Sequence, residues 1–102
     1  MNEGGYGGTI PYDTPSSLRA LRGPEFGLIE LPVTVHWGPQ HTYDLADPSD
    51  LESAYQALVR EGTTAIQEQF LNERLLRAVW SDLVLPTRCR LTWESCFPDL
   101  VG

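Results

Sequence analysis

A chain of 102 residues with 41% hydrophobic side chains and three tryptophans holds one domain with a modest core, which excludes a wholly disordered chain and a disulfide miniprotein. Fourteen acidic residues stand against seven basic ones, every one an arginine, for a formal net charge of −7. Nucleic-acid affinity comes mostly from neutralised phosphates, so this balance points away from nucleic acid and toward a basic protein partner.

Between Met1 and Gly27 the chain carries six glycines (Gly4, Gly5, Gly7, Gly8, Gly23, Gly27) and Pro11, Pro15 and Pro24, which prevent any long regular element. The glycine cluster is no phosphate cradle. A P-loop needs a lysine and the chain has none, and a dinucleotide fingerprint needs a strand before its glycines, where only three residues stand. Residues 1–27 therefore read as a flexible arm, with Tyr6, Ile10, Tyr12, Leu18, Leu21 and Phe26 as its candidate partner-binding side chains. One short helix interrupts it: Ser16 or Ser17 caps Leu18–Arg22, and Gly23-Pro24 ends it.

From Leu28 to Trp37, Leu31, Val33, Val35 and Trp37 alternate with Pro32, Thr34 and His36, the period of a half-buried strand that Pro32 places at a sheet edge. Gly38-Pro39-Gln40 turns the chain, and His41–Leu45 alternates again with Tyr43 and Leu45 inward, completing a hairpin. Asp47 as N-cap, Pro48 at the first helical position and Asp50 in the first turn open a helix with Leu51, Tyr55, Leu58 and Val59 inward, ended by Gly62. Thr64 and Gln67 fit a capping box for a short second helix that buries Ile66 and Phe70. Asn72 caps a third, with Leu75, Leu76, Val79, Trp80 and Leu83 inward, and Pro86 starts a fourth that presents Cys89, Trp93, Cys96 and Phe97 until Pro98 stops it. The fold class is α+β: an N-terminal flexible arm (1–27), then a single small domain (28–102) in which one β-hairpin packs on three or four short α-helices.

The chemistry-bearing residues yield to structural readings. His36 and His41, flanking the hairpin turn near Asp44 and Asp47, are two ligands short of a structural zinc site. Cys89 and Cys96 lie seven apart on one helix, roughly 10 Å at 1.5 Å rise, which is too far for a disulfide. They share an apolar stripe where cysteine acts as a small hydrophobe, and a reducing compartment fits them. No Gly-x-Ser-x-Gly elbow exists, and Glu52, Glu61, Glu68 and Glu73 read as solvated helix surface paired with Arg60, Arg74 and Arg77. No catalytic, cofactor-binding or metal-binding residue is assigned, and no cofactor is expected. Trp80 and Trp93 take core spacing; Trp37, beside the turn, with Arg88 and Arg90 from the last helix, forms the candidate partner-binding patch of the domain.

Val35-His36-Trp37-Gly38, Tyr43-Asp44-Leu45-Ala46-Asp47-Pro48, Tyr55, Arg60-Glu61-Gly62, Trp80-Ser81-Asp82-Leu83, Leu85-Pro86 and Trp93 together resemble a group of short actinobacterial proteins, some encoded beside nucleotidyltransferase-type toxins. The resemblance covers Leu31 to Leu100 and implies an antitoxin-like role; it carries over no site residue. The function expected is thus a non-catalytic acidic module that binds another, basic protein, with a small helix-turn-helix regulator (Thr63–Phe70 leading into Asn72–Leu83) and a non-catalytic enzyme subunit as alternatives. No apolar run reaches the ~18 residues of a membrane span, and the opening stretch has neither the basic start nor the apolar run of a signal peptide, so the expected location is the cytoplasm, away from membranes. An edge strand on a small tryptophan-rich domain leaves room for a homodimer.

Overall fold

The computed structural model describes residues 12–35 and 42–101. The longest element, α1 (Pro48–Glu61), starts where its sequence dictates: the Asp47 carboxylate accepts from the Ser49 N–H at 3.0 Å, Pro48 occupies the first turn, and Gly62 follows the last. Leu51, Ala54, Tyr55, Leu58 and Val59 recur at helical spacing and are all buried. Two short strands precede it, β1 (Leu28–Glu30) and β2 (Thr42–Asp44), paired antiparallel with Leu28 opposite Asp44, Ile29 opposite Tyr43 and Glu30 opposite Thr42. The α+β architecture is therefore a two-stranded hairpin against short helices. Ile29 and Tyr43 point to the core, because facing residues share a side of the sheet.

The first strand is shorter than its alternation suggests. After Glu30 the chain leaves the ladder and turns, so that the Val35 N–H bonds the Pro32 carbonyl at 2.9 Å. Val33, expected inward, is consequently exposed, while Leu31 and Val35 are buried. Residues 36–41, which contain the expected Gly38-Pro39-Gln40 turn, lie outside the described residues.

After Gly62 come α2 (Thr64–Phe70), α3 (Glu73–Val79) with a 3₁₀ turn at Trp80–Asp82, and α4 (Thr87–Cys96). The N-cap of α2 is Thr63, not Thr64: its hydroxyl accepts from the Ile66 N–H at 3.3 Å. With Thr63 as cap, Ile66 and not Gln67 holds the third position, so no capping box forms; Gln67 is buried, its Nε2 donating to the Leu58 and Gly62 carbonyls at the end of α1 and to the Asp13 carbonyl. Asn72 caps α3 as expected, accepting from the Leu75 N–H, and its own N–H donates to the buried Tyr55 hydroxyl at 2.9 Å. On α4, Cys89 and Trp93 are buried, but Cys96 is exposed: α4 ends there, at the rim, and Phe97 carries the apolar stripe into the following turn. Trp93 packs between the tilted ring of Trp80 and the edge-on ring of Phe97, with centroids 5.8 Å from each.

Within the expected arm, residues 12–27 hold only the short 3₁₀ turn Leu18–Ala20, capped by Ser17. This stretch is bound along α2 and into the α2–α3 corner. Thr14 accepts from the Thr64 hydroxyl, the Ser16 N–H and hydroxyl both donate to Glu68, Arg22 donates to the Glu68 carbonyl, and Gly23 donates to the Leu71 carbonyl at 2.8 Å. Leu18 and Leu21 are buried in the same core as α1 and α3. The approach at Gly23 is so close that a Cβ there would lie 2.1 Å from the Phe70 carbonyl oxygen.

Two expectations follow. Gly23→Ala forces backbone apart and lowers stability by about 1–3 kcal/mol, as overpacking does. Gly27→Ala, in open space but at φ +93°, costs about 1 kcal/mol through backbone strain alone; urea midpoints of the two variants check the order. Burial pushes the Tyr55 phenol from 10.0 up to about 12, more than the opposing Asn72 N–H lowers it. Since the folded state holds this proton more tightly, its contribution is complete below pH 10 and is lost as pH rises toward 12, on the order of 2 kcal/mol in all. Tyr55→Phe flattens that part of the pH–stability curve while costing about 1 kcal/mol at neutral pH, where the Asn72 N–H loses its acceptor.

Candidate protein-binding face

The charge of this chain is segregated. Between Arg22 and Arg60 there is no basic residue other than two histidines, against the carboxylates of Glu25, Glu30, Asp44, Asp47, Asp50 and Glu52. The rest of the chain is nearly balanced, with eight carboxylates and seven arginines. The fold places this acidic stretch on the hairpin and the first turns of α1. Glu25 pairs with Arg74 at 3.2 Å, Asp47 caps α1, Asp44 accepts from the Ala46 N–H, and Asp50 accepts from the Asp44 N–H at 3.0 Å. Glu30 and Glu52 make no ion pair among the described residues.

Elsewhere two further guanidinium groups are engaged within the fold. Arg77 pairs with Glu73 at 2.8 Å and with Asp99 at 3.5 Å, an arrangement that holds its pKa above the ordinary arginine value. Arg90 lies 5.0 Å over the Trp80 ring, donates to the Trp80 and Leu83 carbonyls and pairs with Glu94, whose carboxylate also accepts from the Trp80 indole N–H. Two hydrogen bonds from Ser16 hold the Glu68 carboxyl below its usual range.

The outer side of the hairpin carries Leu28, Glu30, Thr42 and Asp44, since Ile29 and Tyr43 face the core. Phe26 and Leu28 leave 79% and 70% of their surfaces open beside these carboxylates, an apolar strip within an acidic field. Beyond Glu30 an open groove of about 430 Å³ runs between Glu30, Leu31 and Pro32 on one wall and Ile66, Gln69 and Phe70 of α2 on the other.

The residues singled out in the sequence fall differently on this frame. Tyr6, Ile10 and Trp37 lie outside the described residues, as do His36 and His41. Tyr12 is half-buried against the core, and Leu18 and Leu21 are inside it, so these three already have a partner in their own domain. Phe26 is exposed next to β1. Arg90 is engaged with Trp80; Arg88 is exposed over a shallow groove of α4 that includes Leu91 and Thr92. What residue-by-residue reading missed is the outer edge of the hairpin, although the arginine-free interval from Arg22 to Arg60 was its signal.

Among the described residues no group of three or more His, Cys, Asp or Glu side chains comes together in a way that would hold a metal ion, and no helix is long and apolar enough to cross a membrane. Comparison of the chain with protein-family models, with curated proteins and with solved structures gives no match.

The two thiols differ sharply. Cys89 is buried, with burial pushing its thiol above the ordinary value and its Sγ 3.9 Å from the Val59 carbonyl, whereas Cys96 is exposed and unbridged. An aromatic disulfide reagent is expected to titrate one thiol rapidly in the native protein and the second only on unfolding. Cys96→Ser removes the fast phase; two fast thiols would show that the last helix is not packed as described.

Proposed function

We propose that this chain is a non-catalytic, acidic protein-binding module that acts in the cytoplasm as an antitoxin-like, neutralising partner of a basic toxin or nucleic-acid enzyme. The observation that carries this reading is the segregation of charge: six carboxylates and no lysine or arginine from Gly23 to Val59, five of the six on the hairpin and the start of α1. A field of one sign over one face steers a partner of the opposite sign and selects against others. The exposed Phe26 and Leu28 add the apolar contact that charge alone lacks. A DNA-reading role for α2 and α3 draws less support, because Arg74 and Arg77, the arginines of α3, are paired with Glu25, Glu73 and Asp99.

The test compares the wild-type chain with a Glu30→Gln, Glu52→Gln double variant, whose altered side chains make no ion pair among the described residues. A basic protein captured from the source cells should associate with the variant roughly three- to tenfold more slowly at low salt, and equally fast once salt screens the face. A captured partner indifferent to both salt and the double variant would sink the reading.

A further inference from the structure

We infer that the outer edge of β1 is a strand-addition site that receives an extended, basic segment of the partner protein. This deepens the reading above and rests on it. The ladder itself identifies the edge. The Leu45 N–H bonds the Gly27 carbonyl at 2.9 Å, so Gly27 and Leu45 form a hydrogen-bonded pair, and alternation makes Ile29 and Tyr43 the next one. The backbone N–H and C=O groups of Leu28 and Glu30 therefore point away from β2, and no other described residue bonds them. On the far side of the hairpin the equivalent position is closed, because the Asp44 N–H is taken by the Asp50 carboxylate at the start of α1. Among the described residues, the outward backbone groups of Leu28 and Glu30 on the β1 side stay open.

The surroundings specify the guest. A strand laid along β1 lies beside the groove between Glu30–Pro32 and α2, where one set of its side chains meets the half-buried Ile66 and Phe70. The alternate set shares the outer face with Leu28 and with the carboxylates of Glu30 and Asp44, on a stretch of chain without arginine or lysine. Backbone hydrogen bonds supply affinity in such additions, and alternate side chains supply specificity. The matching sequence alternates apolar residues with arginine or lysine. A second copy of this chain fits poorly: edge-to-edge pairing would bring the Glu30 strip of one chain against that of the other and join two molecules of charge −7.

The experiment uses the full chain, ¹⁵N-labelled, at low salt, with two synthetic peptides of sequence Thr-Val-Arg-Val-Arg-Val-Thr, one plain and one N-methylated at alternate residues so that charge is kept and one hydrogen-bonding edge is lost. Expected with the plain peptide is slowed amide exchange at Leu28 and Glu30, with the N-methylated peptide binding roughly tenfold more weakly, the worth of one or two hydrogen bonds. Glu30→Gln weakens the plain peptide a further few-fold and leaves that protection pattern in place. Equal binding of both peptides with no protection at Leu28 and Glu30 would overturn strand addition and leave the acidic binding face standing. Binding of neither peptide would overturn both. Protection of those two amides that rises with protein concentration, without peptide, would put a second copy on the edge and overturn the proposal.

Discussion

A single buried carboxamide ties the molecule together. Gln67 is fully buried on α2, and its Nε2 reaches the Leu58 and Gly62 carbonyls at 3.1 and 3.0 Å and the Asp13 carbonyl at 2.9 Å. The Leu58 carbonyl also takes the Gly62 N–H, so the carboxamide adds a second donor there and gives the buried Gly62 carbonyl a partner. One side chain thus ties the end of α1 to α2 and to the start of the N-terminal stretch. Asn72 does the same work one corner further on, capping α3 with its oxygen while its amide group binds the Gly23 carbonyl. With these two amides in place, residues 12–23 run along α2 as part of the core, and the hairpin that follows is aimed by that path.

How much of this was legible in the sequence depends on whether local chemistry or a distant contact decides a position. The boundaries of α1 were legible because Asp47, Pro48 and Gly62 act on their own neighbours. Asn72 and Pro86 were legible for the same reason. The faces of α1 and α3 followed from spacing alone. Val33 was not legible, since a turn after Pro32 overrides an alternation that is otherwise well formed. Gln67 three residues after Thr64 looked like a capping box, but the cap is Thr63, one residue earlier, and the Gln67 amide group instead donates to the Leu58, Gly62 and Asp13 carbonyls that the fold brings to it. Leu18 and Leu21 looked available to a partner because their segment is rich in glycine and proline, yet Gly23 is what lets the backbone pass within contact of Phe70 and bring them inside.

The candidate face shows the same division. Its charge is a property of the linear sequence, visible as an interval without arginine. Its shape is a property of register: which of Leu28, Ile29 and Glu30 turns its backbone outward follows only from the pairing with Thr42–Asp44. The aromatic cluster of Trp80, Trp93 and Phe97 sits at the other end of the chain, with Arg90 laid over it and Glu94 beside it. The candidate face and the aromatic cluster are therefore built from different stretches of the chain.

An open strand edge is ordinarily a hazard, since it templates the stacking of like chains into fibres. Here the ladder spans three residues, and Pro32, in phase with Leu28 and Glu30, offers no N–H on the outward side before the chain turns away. A proline so placed stops the outward row of donors that a like chain would have to extend, one of the means by which a short strand edge avoids templating fibres.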